Sequence, residues 1–121
     1  MSDARQLSAL TLEPARVMDY CAAETIDGIC LFTRTGERNV RMRVFTTSLD
    51  GREDISTGGA VMGLLPYLRR KDPNTPAGYW TIQQGLGPNH HRGTLFTTLL
   101  PDPGMAAVGG GHRFIAKGTL L

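Results

Sequence analysis

Apolar residues change their spacing repeatedly along this chain, and each change predicts an element. Residues 7–12 form an apolar segment with no helical period, which predicts a strand or an extended lead-in. Pro14 suits the first turn of a helix, and Val17, Met18, Cys21 and Ala22 then recur at helical spacing. The spacing predicts an amphipathic helix over 14–23, ended by Thr25 and Asp27-Gly28. Residues 29–33 read as an apolar strand, Gly36 as a turn, and 40–46 as a second strand. In that strand Val40, Met42 and Val44 alternate with Arg41, Arg43 and Phe45, the pattern of a half-buried strand. Its two arginines read as a solvated face, with anion binding as the sharper alternative.

The pattern changes character at 60–68. Val61, Met62, Leu64, Leu65, Tyr67 and Leu68 go round the helix instead of keeping to one stripe, which predicts a helix covered on every side. Pro66 predicts a kink or a helix in two pieces. Arg69, Arg70 and Lys71 stand at its C-terminal end, where the macrodipole favours positive charge. Asp50-Gly51 is a turn, and Ser56 or Thr57 can cap the helix start. Further on, 72–78 reads as a loop, 79–84 and 94–100 as strands joined by a glycine-bearing connection, and 101–104 as a turn. Short strands at 105–108, 112–116 and 119–121 follow, broken by glycines. Many short strands beside one all-apolar helix predict an α+β fold in which a curved sheet wraps around one central buried helix.

Composition narrows the class. The 121 residues suffice for one domain, 1–121, with a real core. With 40% hydrophobic and 20% charged residues the chain is globular, not disordered. A formal charge of +2, with no basic block longer than Arg69-Arg70-Lys71, argues against a nucleic-acid partner. No apolar run is long enough for a membrane span, and Met1-Ser2-Asp3 does not open like a signal peptide, so a cytoplasmic protein is expected. Cys21 and Cys30 have neither metal nor redox spacing and read as buried free thiols. Adjacent His90 and His91 point opposite ways on an extended segment, so with His112 they do not predict a metal site. Gly109-Gly110-Gly111 lacks the lysine and helix of a phosphate loop.

The chemistry concentrates before the central helix. A helix N-terminus offers N–H groups without intrahelical partners, which makes it an anion site. Gly58 and Gly59 let a ligand reach that backbone, and Thr57 stands at the cap. Glu53 and Asp54 either answer the helix dipole or serve as a proton acceptor, or as a partner for a substrate amine.

Taken together, these residues resemble the C-terminal half of the PhzF-like phenazine-biosynthesis family. The resemblance rests on Arg43-Val44-Phe45, then Arg52-Glu53-Asp54-Ile55-Ser56-Thr57-Gly58-Gly59, then the apolar helix ending Tyr67-Leu68. Gly28-Ile29-Cys30-Leu31-Phe32 upstream fits too, as do Gln84-Gly85, Val108-Gly109-Gly110 and Gly118-Thr119-Leu120 downstream. It implies a diaminopimelate epimerase-like half, in which two related halves close a cleft and helix N-termini face a substrate carboxylate. Members are isomerases that shift a proton on a small carboxylic acid without metal or cofactor. Carried over, Asp54 is the candidate catalytic residue, and Glu53, Asp54, Thr57, Gly58 and Gly59 are the candidate substrate-binding residues. The chain departs from the family at Ile55, where proline is usual, and at Gly59, where serine is usual. Nothing in it matches the family's N-terminal half, which carries the principal acid/base glutamate. The resemblance therefore implies a homodimer, or a heteromer with a chain supplying that half. The alternative is a non-catalytic carboxylate-binding or interaction domain.

Overall fold

The structure is a computed structural model, and it describes residues 4–85, 93–100, 106–111 and 114–120. Three α-helices and one six-stranded mixed sheet make up the regular structure among these residues. The helices are α1 (Ala4–Ala9), α2 (Pro14–Glu24) and α3 (Gly58–Lys71). The strands are β1 (Gly28–Gly36), β2 (Asn39–Thr46), β3 (Glu53–Asp54), β4 (Gly78–Gln84), β5 (Gly93–Leu99) and β6 (Ala106–Gly110). Strand order is β1-β2-β4-β5-β6, with the two-residue β3 paired to β2 beyond the end of β4. The β2–β4 pair is parallel and the others are antiparallel.

The alternation along β2 decides which face meets which helix. Val40, Met42 and Val44 point to α3 and form the main core with Val61, Leu64, Leu65, Trp80, Ile82 and Leu95. Phe45 points the other way and joins Val17 and Cys21 of α2 in a second, smaller core. Arg43 lies on that second face, and it is not solvated: only 3% of it is exposed. The period-2 pattern identified the face correctly, but α1 and the segment after it lie over that face. There Arg43 Nη1 donates to the carbonyls of Leu7, at 3.0 Å, and Leu10.

Several sequence expectations need correction. Of the segment 7–12, residues 7–9 belong to helix α1, with Leu7 fully buried, and residues 10–12 lead on without helix or strand. Helix α3 is covered on one side only. Val61, Leu64 and Leu65 are buried, yet Met62 and Tyr67 are 50% and 40% exposed, since the sheet covers one face of the helix. Pro66 sits inside an unbroken α3, and no second piece forms. The hydrogen bond that proline forgoes is the one to the Met62 carbonyl. Residues 114–120 carry neither helix nor strand, and β6 runs through Gly109 and Gly110. The expected turn at 101–104, and His90, His91 and His112, lie outside the described residues.

Two glycines are required by their surroundings. Gly51 has φ +81°, and a Cβ there would lie 2.2 Å from the Pro14 carbonyl oxygen. This tight turn, with Asp50 at φ 54°, brings β3 back onto β2. Gly93 opens β5 hard against the loop before α3, where a Cβ would meet the Ile55 carbonyl oxygen at 2.3 Å.

Candidate functional site

The adjacent carboxylates Glu53 and Asp54 go to opposite faces of the sheet, as neighbours on a strand must. Glu53 faces Arg43, and the pair is bidentate: Nε to Oε1 at 2.9 Å and Nη2 to Oε2 at 2.8 Å. Its side chain is 20% exposed, against 4% for Arg43. Both oxygens are thus engaged with an arginine beneath α1, on the face away from the start of α3.

Asp54 faces α3. Its Oδ2 accepts the Thr57 hydroxyl at 2.6 Å, and its Oδ1 accepts the Ser56 N–H at 3.3 Å. Thr57 occupies the cap position of α3, but its side chain makes no capping bond. Its hydroxyl is turned toward Asp54 instead. The fixing group for this loop is Gln84, fully buried at the end of β4. Gln84 Oε1 accepts the Thr57 N–H at 2.8 Å, while Nε2 donates to the Asp54 carbonyl at 2.7 Å and to the Thr57 hydroxyl oxygen at 2.9 Å. One amide therefore holds both sides of the turn from 54 to 57. Gln84 was not among the candidate site residues. Its only sequence signal was its place in the Gln84-Gly85 pair.

With Thr57 spent on the loop, the first N–H groups of α3 lack a side-chain cap. Gly59 and Ala60 of this first turn, though not Gly58, border an open cavity of roughly 810 Å³. Thr57, Gly59 and Ala60 form one wall; Gly28 and Cys30 of β1 and Val44 of β2 form the floor. Thr46, Thr47 and Ser48 add a hydroxyl rim that sequence reasoning missed, at a short 3-10 turn (Thr47–Leu49). That rim is itself pinned: the Thr47 N–H and hydroxyl both reach the Asp27 carbonyl, at 2.9 and 3.1 Å. A Cβ on Gly59 would find nothing within 4 Å, so the backbone here is open to an incoming group. Gly58 differs slightly: a Cβ there would touch Val108 at 3.7 Å.

Cys30 lies at the floor of the cavity, and its acidity is displaced. Burial disfavours the thiolate and pushes the thiol from 9.0 to about 11, so at neutral pH it is not a nucleophile. Both cysteines are free thiols. Among the described residues no three His, Cys, Asp or Glu side chains gather as a metal site. No described helix is long and apolar enough to cross a membrane.

No family model matches the chain, and no curated protein does. A solved structure does: a protein from Clostridium difficile (strain 630), named as a phenazine biosynthesis PhzC/PhzF protein. The two share 18% identity with a TM-score of 0.64, over 94% of this chain and 43% of the other. The chain thus has a PhzF-like α+β fold and spans less than half the length of that neighbour.

Proposed function

We propose that this chain is a diaminopimelate epimerase-like half, of the C-terminal type, that binds a small carboxylic acid at the N-terminus of α3 and needs a second chain to complete the cleft. The observation that carries this reading is the uncapped start of α3, with Thr57 turned away, bordering an 810 Å³ cavity beside an unhindered Gly59. A carboxylate placed there meets the N–H groups of Gly58 and Gly59 and the positive end of the helix dipole. The Thr46 and Ser48 hydroxyls bond each other at 2.6 Å and the Thr47 hydroxyl is held by the Asp27 carbonyl, so this rim offers the ligand the hydrogen-bonding capacity left over from those bonds. The half-exposed Met62 and Tyr67 suit a helix that a second chain, a copy or a complementary half, finishes covering. The role of Glu53 in this reading is indirect: paired to Arg43, it positions β3 and hence the loop that carries Asp54 and Thr57.

Catalysis, in this reading, is a proton shift on the bound acid that needs neither metal nor cofactor. Asp54 is the candidate base this chain supplies, and to act it must part from the Thr57 hydroxyl. That engagement favours a second reading, a domain that binds small carboxylates and leaves proton transfer to another chain or performs none.

The test is titration with small carboxylates, followed by amide NMR at Gly58 and Gly59. Shifts confined to the α3 start are expected, and Gly59→Val should abolish them with the fold intact. Unmoved amides across a panel of acids would refute the site. Solvent-deuterium incorporation into a bound acid separates the two readings, since Asp54→Asn removes it only if Asp54 transfers the proton.

A further inference from the structure

Strand β2 carries two arginines on one face, and their surroundings differ. Arg43 spends its guanidinium on Glu53 and on the carbonyls of Leu7 and Leu10. Arg41 lies two residues earlier on the same face and is half-buried. Its Nε is shut off from solvent and has no hydrogen-bond partner. Among the described residues no carboxylate pairs with it. Buried donors in folded proteins nearly always find a partner, and a guanidinium can donate but not accept, so only an acceptor can satisfy this one. The neighbouring side chains can donate too. The register sets Gln83 beside Arg41 and Thr81 beside Asn39 across the β2–β4 pair. With Thr35 of β1 they line a cavity of roughly 260 Å³. Among the described residues the side chains of Thr35, Asn39, Thr81 and Gln83 make no hydrogen bond, and no acidic residue lines the cavity. Arg41 also borders a second hollow of roughly 410 Å³, beneath Ser8 and Ala9 of α1.

We propose that the cavity at Arg41 binds a phosphate group, on the face of the sheet opposite the α3 cavity. The site is separate from the carboxylate site and does not depend on it. An anion there supplies both things that Arg41 lacks, an acceptor for its Nε–H and a counter-charge. A guanidinium fork suits carboxylates and phosphates alike, so the neighbours decide between them. Two hydroxyls and two amides, drawn from three strands, approach from different directions. That arrangement matches the tetrahedral oxygens of a phosphate better than the two coplanar oxygens of a carboxylate. The size agrees, because the cavity is smaller than the roughly 300–1,000 Å³ of pockets for larger ligands. A single oxyanion group fills it. Arg41 is thus the charged anchor, and Thr35, Asn39, Thr81 and Gln83 are the orienting donors.

The experiment follows the arginine Nε–H and backbone amide resonances by NMR while inorganic phosphate, methyl phosphate or acetate is added at constant ionic strength. The Arg41 Nε–H should shift and saturate with a Kd of about 1 mM or tighter. Arg41→Gln keeps a donor but loses the charge and the fork. Read at the Thr81 and Gln83 amides, it should weaken phosphate binding at least about ten-fold. Arg52→Gln, at a well-exposed arginine, should leave that binding unchanged. Saturation by either phosphate compound supports the site, and the tighter of the two tells whether free phosphate or a phosphate monoester is the ligand. An Arg41 resonance that neither compound moves gives the Nε–H to water and overturns the site. Equal losses in Arg41→Gln and Arg52→Gln reduce the effect to general charge and overturn it as well. Acetate held as tightly as phosphate overturns the assignment to a tetrahedral anion. Phosphate shifts at Gly58 and Gly59, with Arg41 unmoved, put the anion at the start of α3 and also overturn the site. Should Arg41→Gln fail to fold, the wild-type Arg41 resonance decides.

Discussion

The two ends of α3 are built on opposite plans. At the C-terminal end the chain closes its own backbone. The Asp72 N–H donates to the Leu68 carbonyl at 2.8 Å, the Thr75 hydroxyl lies between the Asp72 and Leu68 carbonyls, at 2.6 and 3.1 Å, and Arg69 ties the last turn to the Leu100 carbonyl at 3.0 Å. At the N-terminal end the polar groups at hand bond to one another: Asp54 to Thr57, and Gln84 to both. None of them caps the helix, and the cavity lies where a cap would be. Helix ends are normally satisfied by whatever is nearest. Here hydrogen-bonding capacity is spent on making a loop rigid while the helix start stays open. Rigidity around an unsatisfied group is what a binding site requires, because no ordering cost is then left for the ligand to meet.

This contrast can be broken from either end. The largest effect should come from Glu53→Ala, which leaves the Arg43 guanidinium buried without its carboxylate. We expect a loss of about 3 kcal/mol in urea denaturation, near the lower end for a broken buried pair, because 20% of the Glu53 side chain still meets solvent. A loss under about 1 kcal/mol would place the pair with ordinary surface bridges. Next comes Gln84→Ala, which strands the Thr57 N–H and the Asp54 carbonyl. It should cost about 2–3 kcal/mol and also loosen the loop, so carboxylate affinity should fall with stability. At the closed end, Thr75→Ala should cost about 1 kcal/mol and leave carboxylate binding untouched. Equal effects of Gln84→Ala and Thr75→Ala on binding would erase the contrast. The smallest effect concerns pH. The folded state holds the Cys30 proton more tightly than the unfolded chain, so the stability it contributes is intact below pH 9.0 and is lost as pH rises toward about 11. The stability difference between wild type and Cys30→Ala should change across that window and be flat below it.

Elements whose cause is local were legible in the sequence. Pro14 and Thr25 bound α2 as expected, Thr25 serving as a left-handed C-cap. The alternation in β2 sorted its residues correctly between two faces, and Asp50-Gly51 makes its turn. What stayed hidden depends on distant partners. Gln84 looks like any polar strand residue until β4 lies beside β2, because its partners are 27 and 30 positions away. Arg43 looked solvent-facing because nothing local reveals that α1 covers it. The all-round apolar pattern of α3 overstated its burial, since the pattern marks which surface wants covering, and this chain alone covers one side. Glu53 and Asp54 were read as one acidic pair at the helix start. Strand alternation separates them, leaving Asp54 at the loop and Glu53 on the other face.

The single parallel pair, β2 with β4, also governs the order in which the molecule can assemble. Strands β1 and β2 meet through a two-residue turn between Gly36 and Asn39 and can form as a local hairpin. Joining β4 to β2 closes a loop that holds the intervening turn, β3 and the whole of α3. Closing so long a loop is entropically slow. The early species is therefore a hairpin, at a time when the Gln84 amide has yet to reach Thr57. The α3 cavity is the last part of the molecule to form, so refolding should show a fast hairpin phase and a slower phase in which the loop from Asp54 to Thr57 becomes ordered.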